Sequence, residues 1–358
     1  MLMASFVLVA LGGERIQIEG AVKYLIPNLL ASTLFLCAIG LLYNLVGTLN
    51  MAEMASRLIY VQPYGQVTVV AILLLIAFGI KSAIFPLFFW LPASYHTPPV
   101  TITALFSGLL TKVGVYALYR VFTLLLTQDV IYTHTLILIL AGFTMVSGVF
   151  GATAQTDMRR LLSFHIISQI GYLLMGLGLF KQEALATGIY FMVHVILAKT
   201  ALFMVAGIVF ELKRSYSLKK LGGLYATKPY LSLMFLLPAL SLAGLPPLSG
   251  FFAKLLLIVA GFALQQCLIV AVGLFVSFFT LYSMTKVWNE AFWKNDPEGA
   301  DANQGHVSIW LWAPTLGLVM LSTAAGILVA PLYDVCQIAA TQLSDPSIYI
   351  SGALGNIP

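Results

Sequence analysis

The sequence predicts an all-α, polytopic membrane protein, and three observations carry that reading. Apolar residues make up 60% of the 358-residue chain and charged residues only 9%, where a soluble globule carries about a quarter. The mean hydropathy is +0.98. Apolar runs of about 20 residues, the length of helix that crosses a bilayer, recur along most of the chain.

Met1 to Leu11 is apolar but lacks a basic start and a small-residue cleavage pattern, so it does not read as a signal peptide. It is too short to span and reads as the end of a helix. Gly12-Gly13 with Glu14, Arg15 and Glu19 predict a short loop, followed by a span over 24–47 and a loop marked by Glu53, Arg57 and Pro63. Further spans are expected at 67–91, 100–126, 130–153, 161–180, 185–210, 229–262, 266–292 and 308–331. The 229–262 run exceeds one straight helix, and Gly244-Leu245-Pro246-Pro247-Leu248-Ser249-Gly250 interrupts it, which predicts a broken helix. Asp296 to His306 reads as a surface loop, and 294–358 as the last transmembrane helix with an external tail.

Lysine and arginine fall unevenly between alternate loops. One set holds Arg15, Lys23, Arg159, Arg160, Lys213, Arg214, Lys219, Lys220, Lys228 and Lys294; the other holds Arg57 and Lys181, with Arg120 near a helix end. The first set is therefore expected on the cytoplasmic side. Trp90, Trp288, Trp293, Trp310 and Trp312 lie near predicted helix ends, where an interfacial aromatic belt would place them. Cys37, Cys267 and Cys336 have no metal-ligand spacing and read as buried free thiols. No extramembrane stretch is long enough for a nucleotide or flavin site, so neither a cofactor nor a metal is expected, and nothing points to nucleic acid.

The titratable groups at bilayer depth are the informative ones. Lys81, Lys112, Lys199, Lys254 and, closer to an end, Lys286 fall within spans, together with His165 and His194. All 13 acids lie in loops or at helix ends, so the buried ammonium groups find no carboxylate at depth within this chain. A lysine at that depth costs a few kcal/mol and must face protein or water. Desolvation and mutual repulsion favour the neutral amine, and a row of such groups can pass protons. Lys81 is followed by Pro86 and Lys254 is preceded by Pro246 and Pro247, each a residue that breaks a helix and frees carbonyls. His194 and Lys199 lie about 140° apart around one helix. His165 shares a stripe with Ser168 and Gln169 at i+3 and i+4; a satisfied core histidine is an equal competitor there, and snorkelling is a real alternative for Lys286.

Lys81 and Lys254 are 173 residues apart, and Lys112 and Lys286 are 174 apart. Each pair is five spans apart, an odd offset that reverses direction across the bilayer, which is the mark of an inverted repeat.

These stretches resemble the antiporter-like membrane subunits shared by respiratory complex I and the multi-subunit Mrp cation/proton antiporters. The resemblance is carried by Phe78 to Pro92, Tyr95-His96-Thr97-Pro98-Pro99, Ser107 to Tyr116, Asp157 to His165, His194 to Phe203 and Leu242 to Lys254. His96-Thr97-Pro98-Pro99 and Leu110 to Tyr116 are most similar to the D-type subunits of the Mrp group. The resemblance implies antiporter-like inverted five-helix repeats with broken helices and a proton path along the membrane midplane through Lys81, Lys112, His194, Lys199 and Lys254. A glutamate that pairs with the lysine at position 81 in the family has no counterpart, so the first repeat is expected to be incomplete and the chain truncated at its start. The domain reading is then 1–126 for a partial first repeat, 127–293 for the second, and 294–358 for the remainder.

The expected function is that of a membrane subunit of a Na⁺ or other monovalent cation/proton antiporter, a transporter and not an enzyme, in the inner membrane of a bacterial cell. Its expected partners are the other antiporter subunits, the lipid bilayer, protons and monovalent cations. Two alternatives stand beside it: a proton-pumping subunit of a complex I or hydrogenase-type redox complex, whose electron chemistry would belong to partners, and an inactive structural fragment.

Overall fold

The structure is a computed structural model that describes residues 2–62, 64–297 and 307–355. Apart from an isolated bridge between Asp157 and Ser217, the described residues form helices, turns and loops. In order these are α1 (Leu2–Ala10), α2 (Arg15–Val46), α3 (Met51–Leu58), α4 (Gly65–Ser82), α5 (Trp90–Ser94), α6 (Val100–Leu105), α7 (Thr111–Leu124), α8 (Val130–Thr153), α9 (Met158–Gly178), α10 (Gln182–Lys213), α11 (Leu224–Thr227), α12 (Pro229–Ala243), α13 (Ser249–Ala263), α14 (Cys267–Val287), α15 (Ile309–Ile327), α16 (Val329–Ser344) and α17 (Pro346–Leu354). Eight of the described helical stretches are long and apolar enough to cross a membrane, α12 and α13 being shorter.

Every expected span has its helix, with instructive differences at the edges. The helix expected over 24–47 begins at Arg15, because Arg15, Glu19 and Lys23 lie on its first turns, where Lys23 pairs with Glu19 at 2.5 Å. The 67–91 span stops at Ser82. The stretch read as an external tail folds into α16, which packs on α10 and α7, and α17, which packs on α3. Trp90 is buried and belongs to no belt; its indole donates to the Ile80 carbonyl at 2.8 Å, whereas Trp293 and Trp310 are exposed. Cys336 is buried, but Cys37 and Cys267 are exposed on their helices. Asp296 is more than loop, since it pairs with Lys213; the rest of that loop up to His306 lies largely outside the described residues.

Contacts between loops respect the alternation of the spans. On one face Arg160 meets His96 at 3.0 Å, Asp157 bridges to Ser217, and the Gly223 amide donates to the Lys294 carbonyl at 2.6 Å. On the other, His134 bonds the Leu177 carbonyl at 3.0 Å, Gln182 donates to Thr341 at 2.7 Å, and the Arg120 guanidinium lies 4.0 Å from the centre of the Tyr349 ring. The basic residues of the richer set gather on the first face.

α9 is the axis of the bundle, buried along nearly its whole length. It packs on α8 closely enough that a Cβ at Gly148 would come within 2.3 Å of the Ser168 backbone nitrogen. Glycine is required at that crossing. The α9 surface therefore has no lipid-facing side, and its polar residues His165, Ser168 and Gln169 are wholly enclosed.

Candidate functional site

Two helix breaks shape the site. In the first, α4 ends at Ser82 and Ala83 takes a left-handed conformation, φ 58°; the helix has thus stopped before Pro86. The carbonyls released there are met locally: Gly79 accepts from the Ile84 amide at 2.9 Å, and Ile80 accepts from both the Ala83 amide and the Trp90 indole. The Phe85 amide donates to Thr144 at 3.0 Å. Lys81 sits in the last turn of α4, half-buried, and donates to the Ser32 hydroxyl on α2 at 3.3 Å. A cation is favoured at the negative end of a helix.

In the second break, α12 ends at Ala243 with Gly244 as its left-handed cap, and Pro246 and Pro247 lie in the linker to α13. Lys254 stands after this break and reaches back. Its Nζ donates to the carbonyls of Leu242 at 2.9 Å and Ala243 at 3.1 Å, and lies 5.2 Å from the centre of the Tyr172 ring. Both breaks thus bring an ammonium to the carbonyl end of a helix, Lys81 from within that helix and Lys254 from the next.

Lys112 follows a wide π-type turn, Phe106–Leu110, that joins α6 to α7. Its Nζ bonds the Ser107 carbonyl inside that turn. The same turn rests on α10 beside Lys199, since a Cβ at Gly108 would lie 2.4 Å from the Thr200 hydroxyl. Lys199 has no exposed surface, and among the described residues its one hydrogen bond is to the Leu162 carbonyl on α9 at 3.4 Å. It lies within electrostatic reach of both Lys112 and Lys254.

The two histidines complete the row. His165 pairs through Nε2 with the Ser283 hydroxyl at 2.6 Å, and His194 through Nδ1 with the Ser249 hydroxyl at 2.8 Å. Each lies within electrostatic reach of Lys199 and Lys254. The ring atoms His165 Nδ1 and His194 Nε2 are buried with no partner among the described residues. Ser249 is itself bonded to Ser241 at 3.1 Å and to the Ser322 carbonyl at 3.3 Å, which ties α12, α13 and α15 together at His194.

The structure therefore gathers Lys112, Lys199, Lys254, His165 and His194 into one enclosed group with no carboxylate in it among the described residues. Lys81 stands at its own break. Lys286 stands apart at the end of α14, just before a second π-type turn, Trp288–Trp293, and clamps the C-terminal end of α8 through the carbonyls of Thr153 at 3.0 Å and Gln155 at 2.9 Å.

Sequence reasoning missed the hydroxyl partners Ser249 and Ser283, the aromatic floor Tyr172, and Arg159. The last is buried and ties α9 to α6 and the loop before it through the Thr103 hydroxyl and the Pro98 carbonyl, with its guanidinium 4.9 Å from the Tyr216 ring centre. Asp157-Met158-Arg159-Arg160 was visible as a cluster, but nothing in it says which arginine turns inward. Outside the spans, His96 has its basicity lowered, first by burial and then by the Arg160 cation beside it.

Comparison with known proteins gives a consistent picture. The family model described as NADH:quinone oxidoreductase/Mrp antiporter, TM, matches residues 1–280. The chain is 46% identical to the D-type subunit of the Na(+)/H(+) antiporter of Alkalihalophilus pseudofirmus over 357 residues, which cover 99% of this chain and 72% of that protein. It is 40% identical to the corresponding D-type Na(+)/H(+) antiporter protein of Bacillus subtilis over the same shares. Among solved structures, a chain of the Mrp complex from Dietzia sp. DQ12-45-1b superposes with a TM-score of 0.90 at 33% identity, covering 99% of this chain and 74% of that one. A chain of respiratory complex I from Thermus thermophilus with bound NADH shares the fold, with a TM-score of 0.82 at 22% identity over 96% of this chain and 73% of that one.

Proposed function

Because this chain belongs to the NADH:quinone oxidoreductase/Mrp antiporter membrane family, we propose that it moves protons along the row Lys81, Lys112, Lys199, His165, His194 and Lys254 as a membrane subunit of a monovalent cation/proton antiporter. The observation that carries this is the enclosed group of amines and imidazoles around Lys199, held by backbone carbonyls and hydroxyls with no carboxylate counter-ion among the described residues. Hydrogen bonds to a carbonyl can be given up and remade as a lysine loses and regains its proton. An opposite charge beside an amine would favour its charged form.

The two breaks supply the ends of the path. A broken helix leaves carbonyls that hold a cation, and Lys254 occupies such a site while Lys81 adjoins one. Lys286 is left out of the row, because it holds the C-terminal end of α8 through the Thr153 and Gln155 carbonyls. The domain reading follows the same logic, with 1–126 and 127–293 as two inverted units, each with a break and a π-type turn.

The resulting picture is a multi-pass transporter subunit that works with sister subunits in the inner membrane of a bacterial cell and exchanges protons for Na⁺ or another monovalent cation. The high identity to antiporter subunits favours this over service in a redox complex, with which the likeness is one of fold. The test is Lys81→Ala in the whole complex, followed in membrane vesicles as the collapse of a pH gradient on cation addition. Loss of exchange is expected, and unchanged exchange would remove Lys81 from the path.

A further inference from the structure

The row leaves a gap along α9. His165 and Tyr172, the residue beneath Lys254, are seven positions apart on this helix, or about 10 Å. Each is fastened to α14, His165 to Ser283 and Tyr172 to Ser277 and the Gly273 carbonyl at 2.7 and 2.6 Å. No lysine or histidine lies between them on α9, and among the described residues no hydrogen bond joins His165 to Lys199, His194 or Lys254, so a proton needs a carrier across the interval.

What does lie between is a group of polar atoms with no partner among the described residues. Gln169 has no exposed surface, and both its Oε1 and its Nε2 lack a hydrogen-bond partner among the described residues. The Ser168 hydroxyl beside it is in the same state, as is His165 Nδ1 one turn below. A carboxamide offers two donors and two acceptors, and leaving them unmet in an enclosed site is costly. Leucine would fill this position at no such cost. Buried polar groups of this kind are the ones that ordered water satisfies.

We infer that Gln169, with Ser168, is a water-holding positioning residue that carries the proton path across the interval between His165 and Lys254. The amide accepts from one water through Oε1 and donates to another through Nε2, so it orients a short file without itself taking a proton. His165 Nδ1, buried without a partner among the described residues, takes one end of this file in the inference, and the Lys254 ammonium, 5.2 Å from the Tyr172 ring centre, takes the other. This rests on the lysine and histidine row proposed above, and the experiment separates the two.

Gln169→Leu and Lys254→Ala are made in the whole complex, and each is read for cation-driven proton exchange and for thermal stability. If Lys254→Ala abolishes exchange and Gln169→Leu lowers it about tenfold or more while stability holds or rises, the inference stands. Retention by Gln169→His, which keeps a donor and an acceptor, and loss from Gln169→Leu of an internal-water stretching band that shifts in isotope-labelled water would mark water as the agent. If Lys254→Ala abolishes exchange but Gln169→Leu leaves it unchanged, Gln169 is a packing residue and the inference falls alone. If Lys254→Ala retains exchange, the row itself fails and takes the inference with it. Should Gln169→Leu not assemble, Gln169→Met is read by the same rules.

Discussion

Lys254 caps the helix that ends at Ala243: its ammonium, carried on the following helix, donates to the last carbonyls of the one before. The break between α12 and α13 is thus held shut by a group that the proposed path requires to change its charge. Loss of that charge would weaken both hydrogen bonds, since bonds from a charged donor are worth about 1.5–3 kcal/mol against about 1 kcal/mol for neutral ones.

Gly250 tests whether this closed arrangement matters. A Cβ there would fall 1.8 Å from the Ser241 carbonyl oxygen and 2.9 Å from His194 Cε1, so Gly250→Ala must push α13 off α12 and off His194. A loss of about 1–3 kcal/mol in stability is expected from overpacking, together with a loss of exchange. Cysteine pairs across α12 and α13 would report the movement, and full exchange with unchanged stability would show that the contact is dispensable.

Lys286 should behave differently from the row. Lys286→Ala removes two bonds to the end of α8 and is expected to cost about 1–2 kcal/mol of stability while exchange stays within about twofold of the unaltered protein. Side-by-side vesicle assays with Lys112→Ala check this. A loss of exchange equal to that of Lys112→Ala would return Lys286 to the path.

His96 gives a pH prediction. Its Nδ1 bonds the Pro92 carbonyl and its Nε2 accepts from Arg160, so the folded protein holds the neutral ring and its basicity lies below the usual 6.5. As pH falls through 6.5, the unfolded chain gains a proton that the folded one does not. Stability therefore declines with acidification and levels off below the folded value. Melting curves of the complex from about pH 7.5 to about pH 5 should slope more steeply for the unaltered protein than for His96→Gln. Equal slopes would contradict the assignment.

Much of this was legible in the sequence. Hydropathy located every span, because lipid solvation leaves long apolar runs that few other constraints disturb. The lysines stood out because charge at depth is costly enough to be rare. The Gly244 to Gly250 run announced its break, but the first break was displaced, since a left-handed Ala83 and the Trp90 indole end α4 before Pro86 acts. The π-type turn that gives Lys112 its carbonyl left no mark, because Phe106–Leu110 has the composition of any apolar helix. Ser249 and Ser283 were hidden for a related reason: a lone hydroxyl in a span most often bonds its own helix, and only the packing of α10 on α13 and α9 on α14 turns these two to the histidines.

The most direct measurement is proton exchange by Lys199→Met in the complete complex. Lys199 is wholly buried, bonds no carboxylate among the described residues, and lies within electrostatic reach of Lys112 and Lys254, while methionine fills similar space without a titratable group. The account predicts that cation addition collapses the pH gradient about a hundredfold more slowly than in the unaltered complex, with assembly and melting unchanged. Exchange at the unaltered rate would contradict a path through the lysine and histidine row.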